Sequence, residues 1–161
     1  MDICITGHRP HKLWGYDLSR PQYLELKETM KLLLINNNCE NAWTGMALGV
    51  DMVFALAVLE LRDEGYPIKL NCAIPCLGFP CYKWSMKDKE LYNSIVSRAD
   101  NVVIVTEEEY SPYLMQLRNE YMVDRVQVVI GVWDGSSSGT KNCLVYATRA
   151  GVKVINIMPN V

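Results

Sequence analysis

The chain has 161 residues, half of them hydrophobic, and a formal net charge of −2. That length and apolar share suit a single domain over residues 1–161 that needs neither disulfides nor a metal to build a core. The slightly acidic balance argues against wholesale binding to a nucleic-acid backbone, which calls for a basic face that releases counterions, so nucleic acid is not expected as a partner.

Residues 2–6 read as a first strand. A polar loop then leads into a helix from about Arg20 to Asn38, with Leu24, Leu26, Met30, Leu33 and Leu34 as its apolar face. Residues 41–44 make a second strand, and Val50 to Glu64 is a strongly apolar helix closed by Gly65 and Pro67. A third strand is expected over 68–75, followed by a long loop with Gly78, Pro80 and Trp84 and a helix from about Lys87 to Arg98. A connection of that length is a candidate lid or binding loop. Strands over 101–105 and 126–132 flank a helix from about Tyr113 to Asp124, and a last helix near Thr140 to Ala150 precedes a closing strand, Lys153–Ile157. Short β-branched runs alternating with helical patterns define the α/β class: a single Rossmann-like, doubly wound, mainly parallel sheet with helices on both faces.

Six cysteines, Cys4, Cys39, Cys72, Cys76, Cys81 and Cys143, are scattered through apolar runs. The opening residues are interrupted too early by His8 and Arg9 to form a secretory leader, so free thiols in a cytoplasmic protein are expected. Cys72, Cys76 and Cys81 lie close in sequence, but their spacing fits no zinc knuckle; buried thiols are expected there, with no metal and no cofactor. No stretch reaches membrane length. Apolar helix surfaces leave self-association into a homo-oligomer open.

In an open parallel sheet, ligands bind beyond the carboxyl ends of the strands, where loops converge and helix amino termini present unpaired N–H groups. Three glycine- and hydroxyl-rich segments fall on that rim. They are Thr6-Gly7-His8-Arg9 after the first strand, Thr44-Gly45 through Gly49 and Asp51 after the second, and Asp134-Gly135-Ser136-Ser137-Ser138-Gly139-Thr140 after the fifth. Glycine allows tight turns and close approach of an anion, and hydroxyls add donors to the helix-end amides.

Arg9 at such a rim suits a bidentate phosphate grip, against the plainer alternative of a solvated arginine. Asp51, just inside a helix start, can cap the helix or meet a ribose hydroxyl. Arg118 and Met122 share a helix face with Asn119 beside them; that face either lines the crevice or carries surface charge pairs with Glu120 and Asp124. Trp14, Tyr82 and Trp84 in the long loops can stack on a base or pack the loops.

Together, the TGHRP opening, the TGMALGVD turn, the RNEYMVD helix and the WDGSSSGT loop resemble the YpsA group of the SLOG superfamily, close to its phage-like YoqJ branch. The TGMALGVD turn is also similar to a turn of the DprA/Smf proteins, and the helix carrying Arg118 resembles the arginine-bearing helix of the LOG phosphoribohydrolases. The resemblance covers essentially the whole chain. It implies a domain that binds a nucleotide or nucleotide-derived small molecule, an ADP-ribose-type signal being one candidate, as a sensor or sequestering protein. Other members act as enzymes or as single-strand DNA binders, so function does not follow from the family alone. The LOG motif ends in a catalytic glutamate; here Gly139 and Thr140 match it, but the glutamate position holds Cys143. A cysteine cannot replace a carboxylate beside an oxocarbenium-like transition state, which leaves catalysis undecided, with Asp51, Glu120 and Asp134 as the other carboxylates at hand.

Overall fold

The computed structural model describes residues 1–80 and 83–161. Cys81 and Tyr82 lie outside the described residues. Six strands, β1 (Asp2–Gly7), β2 (Asn41–Thr44), β3 (Lys69–Ile74), β4 (Asn101–Ile104), β5 (Val128–Val132) and β6 (Lys153–Ile157), form one sheet in the order β4-β3-β2-β1-β5-β6. Every neighbouring pair is parallel. The connecting helices are α1 (Pro21–Asn36), α2 (Val50–Asp63), α3 (Met86–Arg98), α4 (Pro112–Val123) and α5 (Gly139–Arg149).

Alternation along the strands divides the core in two. Ile3 and Ile5 of β1, with Val128 and Ile130 of β5, pack against α1, α2 and α3. Their neighbours Cys4 and Val129 point the other way, toward Met122 and Val123 of α4 and Cys143, Leu144 and Ala147 of α5. A side-chain period of two puts successive residues on opposite faces, so both faces of the sheet need a helical cover. Right-handed crossovers place three helices on one face while the chain steps from β1 out to β4, and two on the other once it returns to β5. The reversal falls between β1 and β5, the topological switch point.

Helix ends follow local chemistry. Ser85 and Ser138 cap α3 and α5, their hydroxyls accepting from the amides of Asp88 (3.1 Å) and Lys141 (3.2 Å). Pro21 and Pro112 begin α1 and α4, where a missing N–H costs nothing. In α2, ten of the fourteen residues are buried, because it is packed between α1, α3 and the sheet. The observed boundaries lie within about two residues of those expected, in line with how helix ends fray. The strand expected from residue 126 starts at Val128, the Gln127 amide donating to Asp2 O at 3.0 Å just before the ladder.

Two of the loop aromatics serve packing. Trp14 stands edge-on to Tyr23 at 5.1 Å and donates its indole N–H to Asn160 O at 2.8 Å. Trp84 stands edge-on to Phe79 (5.3 Å) and Tyr92 (5.8 Å), tying the loop after β3 to α3. Cys4, Cys39, Cys72, Cys76 and Cys143 are buried free thiols. Among the described residues no helix is long and apolar enough to cross a membrane.

Candidate functional site

A cleft of about 330 Å³ opens at the switch point, beyond the carboxyl ends of β1 and β5. One wall is the end of β1 and the residues after it, Thr6, Gly7, His8 and Arg9. The amino terminus of α5 contributes Ser138, Gly139 and Thr140; α4 contributes Arg118 and Asn119; the start of α2 contributes Asp51. Ten of the expected residues are thus gathered by four elements far apart in the chain.

The remaining six support the cleft from behind. The Thr44 hydroxyl donates to Asp51 O (2.9 Å) and accepts from the Met46 amide (3.3 Å), bracing the turn before α2. Gly45 is needed because a Cβ there would fall on the Arg118 guanidinium, which donates to the Gly45 carbonyl. Gly49 has φ +90° and sits against Pro10. The Asp134 carboxylate holds His8 Nε2 at 2.8 Å and accepts from the Ser136 amide at 2.9 Å, while Gly135, with φ +95°, turns the chain between them. Ser136 O is taken by the Trp133 indole at 2.7 Å. These glycines therefore serve turns and close packing behind the cleft wall.

Several lining residues are not marked by the rim motifs. His11 and Lys12 lie on the short 3-10 helix after Arg9, and Pro112, Met115 and Gln116 line the α4 wall. Met115 is three residues before Arg118 and four before Asn119, so helical spacing from that pair finds it. Nothing in the sequence around His11 and Lys12 shows that their loop folds back over the cleft.

The charges are unevenly matched. Arg118 is only 3 % exposed, yet its recorded partners are the Gly45 carbonyl and Asn119 Oδ1 (3.1 Å), neither of them charged. Burial lowers its pKa, opposed by the attraction of Asp51 and reinforced by the repulsion of Arg9. Asp51 is buried too, with Oδ2 accepting from the Ala47 amide at 3.1 Å. Burial raises its carboxyl above the usual range, against the pull of Arg118 and Arg9. At the mouth of α5 the Gly139 and Thr140 amides have no partner among the described residues, so the positive end of the helix faces the cleft. Asp134, by contrast, is held well below the usual carboxylate range by Ser136, whose amide donates to it, and by His8.

A carboxyl whose folded pKa is raised costs stability once it is ionised. That cost is absent below the ordinary value near 3.8 and grows as pH rises from there through the folded pKa. Asp51→Asn, which keeps an oxygen for the Ala47 amide, is therefore expected to gain stability relative to the parent at pH 7 and to lose that gain by about pH 4. Denaturant titrations at both pH values check this; a variant less stable than the parent at pH 7 and equal to it at pH 4 would show the reverse linkage.

Residues 3–153 match a family model, YpsA, described as the YspA SLOG family. The chain belongs to this family. Among its relatives, the SPbeta prophage-derived protein YoqJ of Bacillus subtilis (strain 168) is 33 % identical over 147 residues, covering 82 % of this chain and 85 % of that protein. A UPF0398 protein of Bacillus thuringiensis (strain Al Hakam) is 25 % identical over 158 residues, covering 96 % and 85 %. Two solved structures share the fold. DNA processing protein A from Streptococcus pneumoniae aligns with a TM-score of 0.69 at 16 % identity, over 99 % of this chain and 51 % of that one. The same protein from Helicobacter pylori, reported for its single-stranded DNA binding mode, aligns with a TM-score of 0.70 at 17 % identity, over 100 % and 66 %. The SLOG chain described here thus spans about half the length of the Streptococcus protein. Within the SLOG site, Cys143 lies wholly buried, its thiol pushed up to about 11 chiefly by burial. Glu120 is held by Gln116 Nε2 at 3.1 Å, and Asp51 is the carboxylate on the cleft wall.

Proposed function

We propose that the cleft binds the phosphate of a nucleotide-derived small molecule, and that the protein works as a sensor or sequestering protein for it. The observation that carries this is Arg118, a buried cation that among the described residues has no carboxylate at ion-pair distance. A buried cation that Asp51 attracts without a direct ion pair is costly, and an anion in the cleft supplies a direct partner. Arg9, whose guanidinium makes no hydrogen bond or ion pair among the described residues, and the Gly139 and Thr140 amides support the same reading. Asp51 is suited to a sugar hydroxyl, and Leu48, Pro112 and Met115 give an apolar wall for a base.

A thermal-shift screen with inorganic phosphate, AMP, ADP and ADP-ribose tests this. Ligand at about 100 times its Kd adds about 2.7 kcal/mol, a shift of several degrees for a domain of this size. A flat response to all four would remove the reading.

Single-stranded nucleic acid is the second reading. The acidic net charge disfavours it, but the basic residues Arg9, His11 and Lys12 stand together on the cleft, so local charge is a better guide than the total. Likeness to the Helicobacter protein adds to its weight. An oligonucleotide affinity that falls steeply with salt would favour it over the small molecule.

A further inference from the structure

We propose that His8 is a proton acceptor for catalysis, and that the cleft hydrolyses a phosphate ester instead of only holding one. This rests on the anion-binding reading above.

His8 is 2 % exposed and forms part of the cleft wall next to Arg9. Its Nε2 lies 2.8 Å from Asp134 Oδ1, while the Asp134 amide donates toward the same nitrogen over a longer 3.2 Å. We assign the proton to Nε2 on the shorter, charge-assisted contact, through which it is donated to the carboxylate. Nδ1 is then a lone-pair nitrogen with no partner among the described residues. A ring fixed at one nitrogen by an ionised carboxylate, in a residue that lines an anion site, is the arrangement of an oriented base. A histidine serving the core alone would have both nitrogens satisfied.

Asp51 stands on the same cleft as the complementary group. Its burial favours the protonated carboxyl, whereas Asp134 is kept ionised. Carboxyls pushed in opposite directions separate acid and orienting roles. In the step, Nδ1 of His8 takes a proton from water as the water oxygen bonds to phosphorus. The ester P–O bond breaks, and the leaving oxygen takes the Asp51 proton. Solvent then carries the His8 proton back to Asp51, so both groups are restored. Arg9, Arg118 and the α5 amides face the charge on the phosphoryl oxygens. Asp134 is a positioning residue.

The test uses p-nitrophenyl phosphate, bis(p-nitrophenyl) phosphate, AMP and ADP, with p-nitrophenol and inorganic phosphate as readouts. Turnover of at least one ester is expected. His8→Gln should lower kcat about 100-fold, the usual contribution of a positioned base, while the melting shift with AMP persists. Asp134→Asn should lower kcat with little change in KM, since it favours the wrong tautomer. Because His8 is buried, His8→Ala supplies an independent check: added imidazole should restore part of its activity, which no structural role would produce. No product from the parent protein with any ester, alongside a clear AMP shift, overturns the catalytic proposal and leaves anion binding standing. A His8→Gln protein with the parent's kcat overturns it equally. If AMP and phosphate give no shift and no product forms, both readings fall.

Discussion

Arg118→Met is expected to abolish most ligand binding without unfolding the protein. Methionine fills a similar volume but brings no charge. Losing the charged donation to the Gly45 carbonyl costs about 1.5–3 kcal/mol and ends the attraction to Asp51, whereas removing a buried cation that makes no ion pair returns a desolvation penalty of several kcal/mol. Stability should therefore stay level or rise by up to about 2 kcal/mol. Hydrogen bonds to a charged group are worth about 1.5–3 kcal/mol, so AMP affinity should fall about 10- to 100-fold. The pairing of the two results is what matters: a residue that served the fold would lower stability and affinity together. Denaturant titration and calorimetry on the same preparation decide it, and a drop in stability above about 2 kcal/mol with unchanged affinity would return Arg118 to the core.

Gly45→Ala should do the opposite to stability and the same to binding. The new Cβ would occupy the place of the Arg118 guanidinium, which is buried and donates to the Gly45 carbonyl, so the guanidinium has to be displaced. Overpacking of this kind costs about 1–3 kcal/mol, and AMP affinity should fall as the displaced guanidinium leaves the cleft. The double variant Gly45→Ala/Arg118→Met is the sharper test, because the flexible methionine can bend away from the methyl group. Most of the lost stability should return, with a coupling of about 1–3 kcal/mol between the two sites. Additive losses would mean that Gly45 is required for its backbone and not for the space it leaves. The same logic separates Gly45 from Gly49, whose φ of +90° penalises any side chain whatever stands opposite.

The sequence alone determined the α/β class, all eleven main elements and their order, since each is a local statement about side-chain period, capping and punctuation. Thr6 to Arg9 and Ser138 to Thr140 were legible for the same reason: in a parallel sheet, the residues directly after a strand lie on the carboxyl rim. Which of the rim residues turn toward the cleft was decided only by tertiary structure. Gly45 and Asp134 belong to the same motifs as Asp51 and Ser138, yet Gly45 makes room for a guanidinium 73 residues away and Asp134 fastens a histidine 126 residues away. The burial of Arg118 was equally out of reach, because its helix face carries residues suited to either solvent or a cleft. Local pattern records where a side chain leaves the backbone, whereas its partners depend on crossovers that bring α4, β1 and β5 together at one edge of the sheet.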